Sequence, residues 1–205
     1  MNLRLFGEVF VTVLVIIDPP GNVPIFLSVT RLLSAKERHR AALVAVGTAF
    51  LVITLFAVGG RQVLEYLGVT VPALRGAGGL LLLLVSLELL SGREAAAVEE
   101  MTPEQRTSIA MVPLGTPLLA GPGAIVATIV FVGRSTAGRD LFAIGLGLMA
   151  VMIATFLALR FSDLIMRLIR PTGVLLVSRV AGMLVAAIAV QMIADAVRDF
   201  VQAAA

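Results

Sequence analysis

Residues 18–26 read DPPGNVPIF: an acid, three prolines, a glycine and an asparagine set between the apolar runs FGEVFVTVLVII (6–17) and LSVT (27–30). Each proline removes a backbone donor and clashes one turn back. Pro19 and Pro20 therefore release the carbonyls of Val15 and Ile16, and Pro24 releases that of Pro20. Gly21 lets the chain leave helical angles at little steric cost. A helix entering this stretch is expected to stop, and a second half-helix to begin with Asn22 as its cap.

The surroundings decide what the break is for. Of 205 residues, 59% are hydrophobic and 14% charged, and the mean hydropathy is +1.04. A soluble domain of this length needs far more polar surface. The charges cluster, leaving apolar stretches of roughly 20 residues, the length that crosses a ~30 Å hydrocarbon core. The reading is an all-α integral membrane protein. A net charge of +3 then reflects Arg in short loops and gives no reason to expect nucleic acid. There is no Cys, and His39 stands alone, so Cys-ligated metals, thiol relays and His clusters are excluded. No cofactor or metal is expected. Glu8 interrupts the first apolar run and no A-x-A site precedes the prolines, so the first span is read as retained and not as a cleaved signal.

Six spans are expected, at about 5–30, 41–60, 70–91, 108–133, 140–160 and 174–198. Ser34 with Glu37 forms a capping box for the second helix, and Thr102-Pro103 with Gln105 a start for the fourth. RFSDLIMRLIRPTG (160–173) alternates charged and apolar residues and is read as interfacial. Ten of the 16 Lys and Arg residues fall on one side of this arrangement, which puts both termini on the periplasmic or extracellular face.

The second half echoes the first. Pro20-Gly21 matches Pro122-Gly123 at an offset of 102, and Arg75 in LRGAGGL matches Arg179 in SRVAGML at an offset of 104. With three spans per half, the halves enter the bilayer from opposite sides. Residues 1–100 and 101–205 are thus read as two inverted three-helix repeats within one membrane domain, with spans 1 and 4 broken near the midplane. This is an architecture of secondary transporters. Pro122 releases the carbonyl of Leu118, and Gly121 caps the half-helix that follows.

In such a fold two half-helix N-termini converge at mid-depth, with unpaired N–H groups and about half a positive charge each. Released carbonyls and the Asp18 carboxylate supply the opposite charge. Exposed backbone of this kind has to line a cavity, and donors facing acceptors suit a small zwitterion such as an amino acid. The candidate binding residues are Asp18, Pro20, Gly21, Asn22, Pro24, Gly121, Pro122, Gly123 and Ala124, with Asp18 as the proton-coupling group. Arg75, Glu88, Arg179 and Gln191 are candidates further out. Alternatives stay open: Asp18 as a plain N-cap, Asn22 as a cap only, and Arg75 and Arg179 as interfacial anchors. GAGG (76–79) and Ala181-Gly182 read as close-packing surfaces.

DPPGNVPIFLSVT (18–30), RGAGGLLLLLVSL (75–87), PLGTPLLAGPGAI (113–125) and RVAGMLVAAIAVQMI (179–193) together resemble the MarC family, also called the neutral amino acid transporter family, within the LysE-type exporter superfamily. That family's first motif reads D-P-I/V-G-N-x-P, so Pro20 is a departure that leaves Asp18, Gly21, Asn22 and Pro24 in place. The resemblance implies transport of small neutral amino acids across the inner membrane by an exporter or a proton-coupled carrier, symporter or antiporter. The partners would be a small neutral amino acid or similar zwitterion, protons and membrane lipid, with a homo-oligomer left open. Two rivals remain: a passive aquaporin-like channel for small polar solutes, and an exporter of another small metabolite or drug. An enzyme is not expected, because no His-Glu-x-x-His, aspartyl dyad or Gly-x-Ser-x-Gly occurs.

Overall fold

The computed structural model describes residues 2–30, 33–91, 119–135 and 138–204, and every described element is helical. In chain order these are α1 (Leu3–Ile17), α2 (Pro19–Val29), α3 (Ala35–Tyr66), α4 (Val71–Ser91), α5 (Pro122–Gly133), α6 (Gly138–Arg160) and α7 (Ser162–Ala204). Five described stretches are long and apolar enough to cross a membrane: Leu3–Val29, Ala35–Gly60, Val71–Ser91, Gly138–Arg160 and Thr172–Gln202. These correspond to five of the six expected spans. The sixth, 108–133, is represented by the 12-residue α5; its 108–118 half and the helix start at Thr102 lie outside the described residues.

Local sequence explains the element boundaries. The Ser34 side chain accepts from the Glu37 N–H while the Glu37 carboxylate accepts from the Ser34 N–H, completing the capping box that opens α3. α3 runs past residue 60 to Tyr66, and the chain turns at Gly68, whose φ of +67° needs no Cβ. α7 breaks at Arg170 (φ 61°, ψ 161°), separating the interfacial stretch from the span. On α1 the buried positions Val9, Val13, Ile16 and Ile17 form one helical stripe.

The buried centre comes from α1, α2 and α5. α1 and α2 pack on α6 and α7, and α5 packs on α3 and α4. α4 and α7 form the most extensive helix pair, and their glycines account for it. A Cβ on Gly79 would meet the Ala189 carbonyl at 2.8 Å, and one on Gly182 would meet the Ser86 carbonyl at 3.2 Å. Gly78 lies as tightly against Val126 of α5. GAGG and Ala181-Gly182 are therefore close-packing surfaces, as small residues at membrane helix interfaces are. The outward faces of α3, α6 and α7 carry exposed Leu51, Leu55, Phe142, Ile153, Leu176 and Met183. Such a belt is suited to hydrocarbon, not water.

Ion pairs and one hydrogen bond tie the helix ends. Arg38 on α3 bonds Asp163 on α7 at 2.8 Å. At the other ends, Arg75 meets Asp199 at 2.5 Å, Arg134 meets Asp195 at 3.6 Å, and Asn2 donates to Asp140 at 3.0 Å. Each contact joins groups that the expected span order puts on one side of the membrane.

Candidate functional site

The chain breaks at Asp18, which takes a left-handed conformation (φ 45°, ψ 66°) rare for a residue with a side chain. Its N–H still donates to the Leu14 carbonyl at 3.0 Å, ending α1, and its carboxylate Oδ1 accepts from the Gly21 N–H at 3.3 Å, starting α2. Asp18 is thus the cap of α2, and the helix resumes at once with Pro19 and Pro20 in its first turn, where a missing N–H costs least. This corrects the expectation that Asn22 caps the second half-helix. Asn22 lies one turn inside α2 and points back: its Nδ2 donates to the Ile17 carbonyl at 2.5 Å and to the Asp18 carbonyl at 3.3 Å. The side-chain amide supplies a donor that the prolines cannot. The carbonyls of Val15 and Ile16 have no such donor among the described residues.

A second correction concerns the donors. Pro19 and Pro20 have no N–H, the Gly21 N–H is taken by Asp18 Oδ1, and the Asn22 N–H is taken by the Asp18 carbonyl at 3.1 Å. The tip of α2 has no free donor in its first turn to offer an anion. At α5 the situation differs. Gly121 is the N-cap, extended at φ −60° and ψ 159°, with no side chain to spend on the helix, as expected from the sequence. Its carbonyl accepts from Ala124 and Ile125, whereas no partner for the Gly123 N–H is present among the described residues.

The two breaks share a cavity of about 290 Å³. Asp18, Gly21 and Asn22 line it from one half of the chain, Gly121, Gly123 and Ala124 from the other, and Glu88 of α4 joins them. Ile16, Leu81, Leu84 and Val85 add apolar wall. Asp18 and Asn22 are both buried, and Asp18 Oδ2 has no hydrogen-bond partner among the described residues. Space opens directly in front of Gly121, where an added Cβ would touch nothing within 4 Å. Ala120, the counterpart of the acid in the other half, is buried, so the site is chemically lopsided.

The other candidates distribute unevenly. Pro20 and Pro24 are half-buried on α2 and are not on the cavity wall; Pro122 opens α5. Arg75 is buried but spent on Asp199 and faces neither Asp18 nor Glu88, whereas its counterpart Arg179 is exposed and has no ion pair among the described residues. Gln191 is exposed and donates to Asp195 at 2.9 Å, outside the cavity. Thr30 and Thr128 return their hydroxyls to their own helices, bonding the Phe26 and Ala124 carbonyls.

Ser178 of α7 is a neighbour that the sequence did not single out. It is buried, its Oγ has no partner of good geometry, and it stands against the Asp18 carboxylate. Gly21 is what lets them approach: a Cβ there would fall 2.1 Å from Asp18 Oδ2 and 2.5 Å from Ser178 Oγ. Gly21→Ala is accordingly expected to displace the carboxylate and cost about 1.5–3 kcal/mol, the worth of one charge-assisted hydrogen bond. A fall of several degrees in the thermal unfolding of the purified protein measures this.

Comparison with known proteins bears on the family of the chain. Residues 3–201 match the family described as MarC family integral membrane protein. A UPF0056 membrane protein of Methanocaldococcus jannaschii is 34% identical over 201 residues, covering 97% of this chain and 98% of that protein. One from Archaeoglobus fulgidus is 36% identical over 202 residues (96% and 94%), and YhcE of Escherichia coli is 26% identical over 201 residues (96% and 94%). No solved structure matches the chain. With five apolar helices long enough to span a membrane among the described residues and a family match over nearly its whole length, the chain belongs to the MarC family of integral membrane proteins.

Proposed function

We propose that this protein is an inner-membrane secondary transporter of small neutral amino acids, built as two inverted three-helix repeats with both termini periplasmic. The observation that carries the reading is the single cavity shared by the two helix breaks, with opposite polarity on its walls. The solute carboxylate sits at the α5 tip, where the Gly123 N–H and the helix dipole face the space. Its ammonium faces Asp18, Glu88 and the open carbonyl of Ile16. A cavity of about 290 Å³ is at the small end of ligand sites, which favours glycine, alanine, serine and threonine over larger residues. The helix pairing supports the repeat: α5 against α4 and α3 mirrors α2 against α7 and α6. Proton coupling runs through Asp18.

The test is reconstitution into liposomes with labelled glycine, alanine, serine and threonine inside, measured with and without a pH gradient. Saturable efflux, accelerated by unlabelled amino acid on the far side, is expected. Flux that rises linearly with concentration without such acceleration assigns a channel. No flux of any of the four removes the substrate class.

A further inference from the structure

Ser178 has no part in the binding scheme above: it is not on the cavity wall, and its chain neighbour Arg179 faces outward. Two polar atoms nevertheless remain buried and without a partner among the described residues on either side of Gly21, Asp18 Oδ2 and Ser178 Oγ. A buried polar atom left unsatisfied is costly, and a hydroxyl rotates freely to reach an acceptor. Oδ1 is already fixed by the Gly21 N–H. We propose that Ser178 is the positioning residue of Asp18, its hydroxyl holding Oδ2 from the side away from the cavity. The carboxylate is then clamped between the cap of its own helix and the opposite half of the chain. Through this contact α7 acts on the Asp18 carboxylate, although the serine touches no cavity space of its own. Gly21 is the third part of the device, since any side chain there would separate the two groups.

This inference rests on Asp18 acting at the solute site, so the experiment has two arms. In the first, Ser178→Ala is expected to raise the half-saturating amino acid concentration about tenfold while leaving the maximal rate within about twofold, as loss of one charge-assisted hydrogen bond would. Unchanged half-saturation overturns the proposal. In the second arm, thermal unfolding of the solute-free protein is measured in a double-mutant cycle. Ser178→Ala should lower Tm in the parent chain and have little further effect in Asp18→Ala. Should Asp18→Ala not fold, Asp18→Asn serves, where the cost of Ser178→Ala should fall below half. Equal cost in both backgrounds makes Ser178 a packing residue and overturns the proposal. If the parent chain moves no amino acid, the transport reading fails, while the second arm still decides whether Ser178 holds Asp18.

Discussion

Asp18→Asn is expected to leave the protein folded and to cut amino acid flux about 100-fold, abolishing its response to a pH gradient. Asparagine is as good an N-cap as aspartate and, like it, tolerates the left-handed region. The Gly21 N–H therefore keeps its acceptor, and α2 still begins at Pro19. What disappears is the negative charge at a buried point of the cavity. A charged hydrogen-bonded contact is worth about 1.5–3 kcal/mol, which at roughly 1.4 kcal/mol per factor of ten amounts to about one to two decades. Removing the titratable group accounts for the lost pH response. Asp18→Ala is the contrasting case, because it loses the cap as well and should unfold at a distinctly lower temperature. Flux by Asp18→Asn equal to that of the parent, with the same pH dependence, would falsify the role given to this carboxylate.

The second large effect lies at the far end of α4. Arg75 is buried and its partner Asp199 about one-third exposed, so Arg75→Met strands an acid in a partly desolvated place. Breaking a fully buried pair costs about 3–5 kcal/mol, and solvent around Asp199 reduces this to about 2–3 kcal/mol. Thermal unfolding should drop by several degrees. The double variant Arg75→Met with Asp199→Leu should recover much of the loss, because no charge is then left alone. Arg179→Met, at the exposed counterpart, should leave Tm unchanged. If the two arginine variants behave alike, the ion pair contributes nothing.

The pair of arginines shows where sequence legibility ended. In LRGAGGL and SRVAGML they occupy equivalent positions, and nothing local tells them apart. Their difference comes from Asp199, 124 residues from Arg75, which only the packing of α4 on α7 brings near. The helix breaks were legible because proline and glycine act on their own backbone, within one turn. The cavity followed from polarity, since released carbonyls and an acid cannot face lipid. The division of labour at the first break was not legible. It depends on Asp18 turning left-handed, which lets α2 start at Pro19 and moves Asn22 from cap to donor. Ser178 was invisible for a related reason: its partner lies across Gly21 in another helix, and the neighbouring Arg179 carries the more conspicuous side chain.

The length of α3 carries a consequence of its own. At 1.5 Å per residue its uncharged part, residues 41–60, rises about 30 Å, the depth of the hydrocarbon layer, and the charged turn at 36–40 stands beyond it. A bilayer of another thickness is met by a change in the helix's inclination or in the adjoining acyl chains, at fractions of a kcal/mol for every ångström of mismatch. Because Arg38 fastens the start of α3 to Asp163, any change of inclination pulls on the first segment of α7. A bilayer thicker or thinner than that match is therefore felt at the Arg38–Asp163 tie as well as along α3 itself.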